Sequence, residues 1–298
     1  MSSSSRVSPR PRPPLSGTDG LLRALEEVVG DPHFVPPVLP SVAFRLQELI
    51  ARGESRVGEV ISVIETDPLV AADLLRVAQS PFYARRRPPA NLQDAILLLG
   101  FEEVRNLVWQ IGLSGKVFRA AAFQATMASL RRHSVATAHL ARLVGSAASQ
   151  DLEDIFLAGL LHDAGLAVSL VAVADRQEDI PPEVTTAEMD AVLHEFHEGA
   201  GAILGALWEL ASPLCEVLTD HHGAGPQGPS RLAACVVVGQ SLANAHGAFV
   251  RHEDGTPYST DPPEVVADAR RALGLTDDDT FESLAVDARI LLDELPFA

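Results

Sequence analysis

Four histidines of this chain occupy positions where a helical core side chain belongs. His133 falls in register with Leu130, Thr137 and Leu140, and His162 follows Ile155 and Ala158 on one helical face. His197 shares a face with Leu193, Ala200 and Leu204, and His221 follows Leu214, Val217 and Leu218. Steps of three and four residues place each set on one side of a helix. A single histidine in such a place is ordinarily a satisfied core or boundary residue. Four of them on four helices constrain the fold much more, because each uncompensated buried imidazole costs about 1–3 kcal/mol in lost hydrogen bonding. A metal ion or an anion held inside a helical bundle would give them a shared purpose. Neutral imidazoles with a carboxylate suit Zn, Mn or Fe. His162-Asp163 adds the carboxylate, Gly165 is expected to let the helix end there, and His222 adds a fifth imidazole.

The rest of the chain supports an all-α reading. Its 298 residues are 47% hydrophobic but only 5% aromatic. Abundant Ala and Leu favour helix over strand. Residues 1–20, rich in Ser, Pro and Arg, read as a disordered tail, and a short helix is expected over Leu21 to Val29. Val42, Leu46, Leu49 and Ile50 share one face, as do Val57, Val60, Ile61 and Ile64. Asp67-Pro68 supplies an N-cap and a first-turn proline. Asn91 can cap a helix carrying Leu92, Ile96 and Leu99 that stops at Gly100, and Val104, Leu107, Val108 and Ile111 form a further stripe. Longer helices fill the region from Phe123 to Gly247, broken by polar segments at Gln177 to Pro182 and His222 to Pro229. Two last helices are expected at Glu264 to Leu273 and Phe281 to Leu295, with Asp277, Asp278 and Asp279 at the start of the second, where the helix dipole favours them.

Charge and cysteine usage narrow the surroundings. A formal net charge of -17 repels phosphate backbones, so broad nucleic-acid binding is disfavoured. Arg85, Arg86 and Arg87 form a local basic run, read as a solvated loop. Cys215 and Cys235 lie inside apolar helical patterns and read as small core residues, consistent with a reducing cytoplasm. No apolar signal core opens the chain, and no stretch was expected to approach the ~20 continuous apolar residues of a membrane span. The expected location is cytoplasmic.

The string Ala-Gly-Leu-Leu-His-Asp-Ala-Gly at Ala158 to Gly165 closely resembles the metal-ligating motif of HD domains. The order of the other elements selects one branch. Leu39-Pro40-Ser41, the segment Val60 to Ser80 with Asp67-Pro68-Leu69, Pro81-Phe82-Tyr83, and Ala95 to Gly100 come first. His133-Ser134, His162-Asp163, His197 to Ala200 and His221-His222 follow. This order resembles the HDOD family, the HD-related output domains of bacterial signal transduction. The resemblance implies an HD-like multi-helix bundle over 34–247, with an N-terminal helical half (34–122), an HD-like half (123–247) and an uncovered helical extension at 255–298. Members of that family usually act as regulatory or scaffolding modules without catalysis, often in two-component, cyclic-dinucleotide, motility or stress signalling.

The related HD-GYP phosphodiesterases sharpen the comparison. By that resemblance His133, His162, Asp163, His197, His221 and His222 match metal-binding positions. Ser129 stands where those enzymes can have a ligating Glu, and Gln240 where HD enzymes have the closing Asp. A neutral amide lacks the charge that offsets a cation. Gly225-Pro226 replaces the Gly-Tyr-Pro element. Three readings follow. The first is a non-catalytic regulatory module acting through a kinase, a response regulator or a cyclic-dinucleotide enzyme, with homodimerisation open. The second is a metal-dependent phosphohydrolase acting on a cyclic or other nucleotide, with Mn, Fe or Zn activating a water. The third is a helical scaffold whose histidines bond only to one another.

Overall fold

A computed structural model describes residues 17–31, 34, 39–84, 87–118, 120–150, 152, 154–175, 184–222, 228–258 and 261–296. Fourteen α-helices lie within them: α1 (Gly17–Val29), α2 (Ser41–Ala51), α3 (Val57–Ile64), α4 (Pro68–Ala78), α5 (Leu92–Leu99), α6 (Phe101–Lys116), α7 (Gln124–Ala147), α8 (Ile155–Leu161), α9 (Ala164–Asp175), α10 (Thr186–Leu207), α11 (Ser212–Asp220), α12 (Arg231–Ala245), α13 (Pro263–Ala272) and α14 (Asp278–Glu294). No strand occurs among the described residues; one isolated bridge joins Arg251 and Pro257.

Local chemistry sets the boundaries of the first helices. The Asp67 carboxylate accepts from the backbone N–H groups of Leu69 and Val70, with Pro68 opening α4. Asn91 caps α5 by accepting from the Asp94 N–H. Gly100, at φ 79°, ends α5 and turns directly into α6, a left-handed conformation that glycine adopts without steric cost. The expected stripes face inward through Val42, Leu46, Val60, Ile64, Ile96, Val104, Leu107 and Val108, all buried.

Two elements differ from the sequence expectation. Helix α1 begins at Gly17, so the last four residues assigned to the tail 1–20 are helical; its buried stripe of Leu21, Leu25 and Val29 anchors the added turn. Cys235 is buried, but Cys215 is only partly so. Arg85, Arg86, the segment 177–182 and Gly225-Pro226 lie outside the described residues, whereas Arg87 is exposed.

The HD-like half is built on α7, the longest helix, against which α8 and α12 pack, while α10 packs on α9 and α11. Helices α13 and α14 rest on α12, and α14 also reaches α7. The N-terminal half joins it through α6, whose Arg105 pairs with Asp154 at 3.1 Å just before α8. Tyr83 donates to Glu103 at 2.9 Å, and Arg142 of α7 pairs with the same carboxylate at 2.6 Å.

The 20-residue stretch Ile155–Ala174 is long and apolar enough to cross a membrane, which corrects the expectation that no such run exists. His162-Asp163 interrupts it between α8 and α9, and 89% of its most apolar window is buried inside the fold. It is a segment of the buried core, which accounts for its hydropathy.

Candidate metal centre

Each of the expected histidines arrives from a different structural position. His133 lies within α7, and His162 caps the C-terminal end of α8, with Asp163 in the break before α9. His197 lies within α10, His221 caps the C-terminal end of α11, and His222 follows it. Two glycines let these helices touch backbone to backbone. A Cβ on Gly165 would stand 1.9 Å from the His197 carbonyl oxygen, and one on Gly201 would stand 2.4 Å from that of Leu218. Gly165 therefore does not end a helix, as the sequence suggested; it is the second residue of α9 and seats that helix against α10. The break itself falls at His162-Asp163.

The structure brings all six sequence-predicted residues into one cluster, four of the histidines around Asp163 and His222 against His197. The Asp163 Oδ2 lies 3.6 Å from His133 Nε2 and 3.2 Å from His162 Nε2. Its Oδ1 lies 3.5 Å from His221 Nε2 and 4.0 Å from His197 Nε2. Each carboxylate oxygen thus faces two imidazoles. Nε2 of His197 is in turn 3.2 Å from Nε2 of His222.

The outer nitrogens define the tautomers. A carbonyl oxygen only accepts, so a ring nitrogen bonded to one must carry the proton. Nδ1 of His133 donates to Ala248 at 2.7 Å, that of His162 to Gly159 at 2.8 Å, that of His197 to His194 at 2.6 Å, and that of His221 to Val217 at 3.1 Å. Nδ1 of His222 meets the Asp261 carboxylate at 2.5 Å. All five rings therefore turn Nε2 toward the interior. This is how metal-ligating imidazoles are held: the outer nitrogen is fixed, and the inner lone pair is free. Nε2 of His162 and of His221 are buried with no hydrogen-bond partner in the protein. In this tautomer their lone pairs face the Asp163 carboxylate, at 3.2 and 3.5 Å. The facing Nε2 atoms of His197 and His222 need a proton or a metal ion between them, because two lone pairs repel at that distance.

Protonation states match this arrangement at three of the rings, whereas at His222 the Asp261 carboxylate outweighs burial and raises the pKa. Burial keeps the His133 ring below its ordinary pKa, takes His197 to about 4 and holds His221 well below its ordinary value. These rings are neutral near pH 7. Burial alone would raise Asp163, but positive charge on the ring cluster, at His162 and His221 foremost, outweighs it and holds the carboxyl well below its usual range. Neutral nitrogens around an ionised carboxylate are a donor set for a divalent cation. Two subsets have ligand atoms within 4.8 Å of one another: His133, His162 and Asp163; and His197, Glu198, His221 and His222. The buried group could hold a metal, and the residues present fit one.

The two altered positions part company. Ser129 points away from the centre: its hydroxyl donates to the Thr126 carbonyl and accepts from the Arg251 N–H, both at 2.8 Å. Gln240 lines the cavity, and its Oε1 is buried without a partner. The sequence reading missed His194, Asp190, Tyr258 and Asp261. His194 and Asp190 precede His197 on α10 by three and seven residues, a helical spacing that could have exposed them. His252 pairs with Asp190 at 2.9 Å and stacks on Tyr258 at 3.9 Å. Phe249, Val250 and Tyr258 also line the cavity, whose volume is about 50 Å³.

Comparison with known proteins agrees with this architecture. An HDOD domain protein of unknown function from Geobacter sulfurreducens is 20% identical and superposes with a TM-score of 0.66, covering 94% of this chain and 99% of that one. A Shewanella amazonensis protein, whose name proposes a metal-dependent phosphohydrolase, is 17% identical with a TM-score of 0.68, covering 92% and 97%. A Marinobacter aquaeolei protein, whose name proposes signal transduction, is 20% identical with a TM-score of 0.56, covering 94% and 67%. No curated protein matches the chain. The HDOD domain family matches residues 37–224, and with that match the chain belongs to the HDOD family.

Proposed function

We propose that this protein is a signal-transduction regulatory module of the HDOD type, in which the buried His/Asp centre holds a divalent metal and the output passes through protein partners. His133, His162, Asp163, His197, His221 and His222 would hold the ion, with Mn, Fe or Zn favoured by the nitrogen-rich donor set. Bound there, a metal would supply Lewis acidity and lower the pKa of a coordinated water. The observation that carries the regulatory reading is the size of the cavity. About 50 Å³ accommodates an ion with a few waters, whereas organic ligands occupy pockets of about 300–1,000 Å³. Gln240 supports the same reading, since a neutral amide stands where hydrolytic relatives carry a carboxylate. Partners would be a kinase, a response regulator or a cyclic-dinucleotide enzyme; the strongly acidic surface argues against nucleic acid.

Elemental analysis of protein purified without added metal tests the centre, with His162→Ala as its control. Stoichiometric metal in the wild type, its loss in the variant and no turnover of bis-p-nitrophenyl phosphate or cyclic dinucleotides are the expected results. Affinity capture is expected to recover a signalling enzyme.

One observation favours a phosphohydrolase instead. Asp163 stands between two groups of inward-facing imidazoles, an arrangement that could serve two ions. Metal-dependent hydrolysis lost in both His162→Ala and Asp163→Ala would establish that alternative.

A further inference from the structure

The carboxylate of Asp261 lies outside the segment 37–224 matched by the family and 39 residues beyond His222. It nonetheless reaches the centre. Its side chain is 3% exposed, its Oδ1 sits 2.5 Å from Nδ1 of His222, and its Oδ2 is buried with no partner. Pro262 and Pro263 follow it and open α13. A proline restricts the residue before it to extended backbone, so the backbone that carries the Asp261 side chain has little freedom to shift. Helix α13 packs on α12, the helix that carries Gln240.

The contrast with the other rings gives Asp261 its meaning. His133, His162, His197 and His221 each rest their outer nitrogen on a neutral backbone carbonyl. His222 alone among the five rests on a full negative charge. A carboxylate behind an imidazole orients the ring and raises the basicity of its inner nitrogen. The cavity lacks a carboxylate at Gln240, and Asp261 brings one to the outer nitrogen of His222, one ring removed from that cavity.

We infer that Asp261 is a positioning residue of the centre, which aims Nε2 of His222 inward and supplies through that ring the negative charge that Gln240 cannot. The inference deepens the metal-binding reading and rests on it. It adds Asp261 to the residues beyond the matched segment, Gln240, Ala248 and Tyr258 among them, that surround the centre.

The test is Mn(II) and Zn(II) binding to the full chain by equilibrium dialysis, with ¹⁵N spectra of the histidine rings. Asp261→Asn keeps an acceptor and removes the charge; Asp261→Ala removes both. Affinity is expected to fall about 10-fold for Asn and about 100-fold for Ala at unchanged stoichiometry, the range seen when such outer partners are lost. In a His222→Ala background, Asp261→Asn is expected to cause no further loss, because its effect runs through that ring. A merely structural role would weaken binding in both backgrounds, and that outcome overturns the inference. So does wild-type affinity in Asp261→Asn, or an unchanged His222 ring spectrum in Asp261→Ala. Asp268→Asn, an exposed carboxylate change on α13, is the control and is expected to bind as the wild type does. If the wild type itself binds neither ion, the metal reading fails and takes this inference with it. If the wild type binds and the Asp261 variants bind equally well, only the inference fails.

Discussion

The two halves of this fold are both helical and both tightly packed, yet their interiors differ in kind. Between residues 34 and 122 the described buried polar side chains are Arg105, Asn106 and Gln110, all on α6. Between 123 and 247 the buried set includes five histidines, Asp163, Gln240 and several hydroxyls. Burying a polar group costs free energy unless it is paired, so the second half is built less favourably than the first in purely apolar terms. The difference locates function: the N-terminal half is organised for packing, and the HD-like half surrenders packing to a centre.

The largest expected effect separates the two regions directly. His162→Ala and Asp163→Ala are expected to abolish metal binding, measured by elemental analysis, while the protein remains helical by circular dichroism. Leu74→Ala, at a fully buried site in α4, is expected to cost about 2–5 kcal/mol of stability with the metal content of the folded protein unchanged. Metal loss in Leu74→Ala would show that the halves do not divide in this way.

The joint between them comes next. Arg105→Ala leaves Asp154 without its partner at a largely buried position, and a cost of about 3 kcal/mol is expected in urea unfolding. Asp154 also sits at φ 60°, so Asp154→Gly relieves backbone strain while removing the pair, and a smaller loss is expected there.

A third prediction distinguishes a histidine in the centre from one merely in the core. His139 is wedged between Phe82 and Phe156, with ring centroids 5.6 and 5.0 Å away. Burial takes its pKa to about 4 from an ordinary value near 6.5. Because the folded value is the lower one, the unfolded chain binds the proton first. Stability is therefore full above about pH 6.5 and falls as the pH drops toward 4, by up to about 3 kcal/mol from this group. His139→Phe is expected to flatten that slope in pH-dependent melts and to leave metal affinity alone.

The smallest effect comes from the ion itself. Metal at one hundred times its dissociation constant is expected to stabilise the fold by about 2.7 kcal/mol, read as a raised urea midpoint that a chelator reverses. Equal stabilisation of His162→Ala would detach the ion from the centre.

Much of this was legible before any coordinates. Caps at Asp67 and Asn91 could be read because a carboxylate or amide ahead of an apolar stripe acts locally. The inward histidines could be read because a helix fixes its own faces. Asp261 could not: its partner lies 39 residues away, and only tertiary packing brings them together. Gly165 was misread for the same reason, since a glycine that ends a helix and one that admits a neighbouring backbone look alike in a sequence. The stretch Ile155–Ala174 shows a related ambiguity, because a run apolar enough for lipid is equally suited to the buried core of a helical fold.

The contact at Gly165 reaches beyond the centre. No side chain separates α9 from α10 there, so any residue larger than glycine forces one backbone or the other to move. Helix α1 lies across both of them, with Leu21 and Leu25 buried. It precedes the family-matched segment, yet it rests on the helices that carry His197 and follow Asp163. A side chain larger than hydrogen at position 165 would therefore wedge apart the very pair of helices on which α1 is seated.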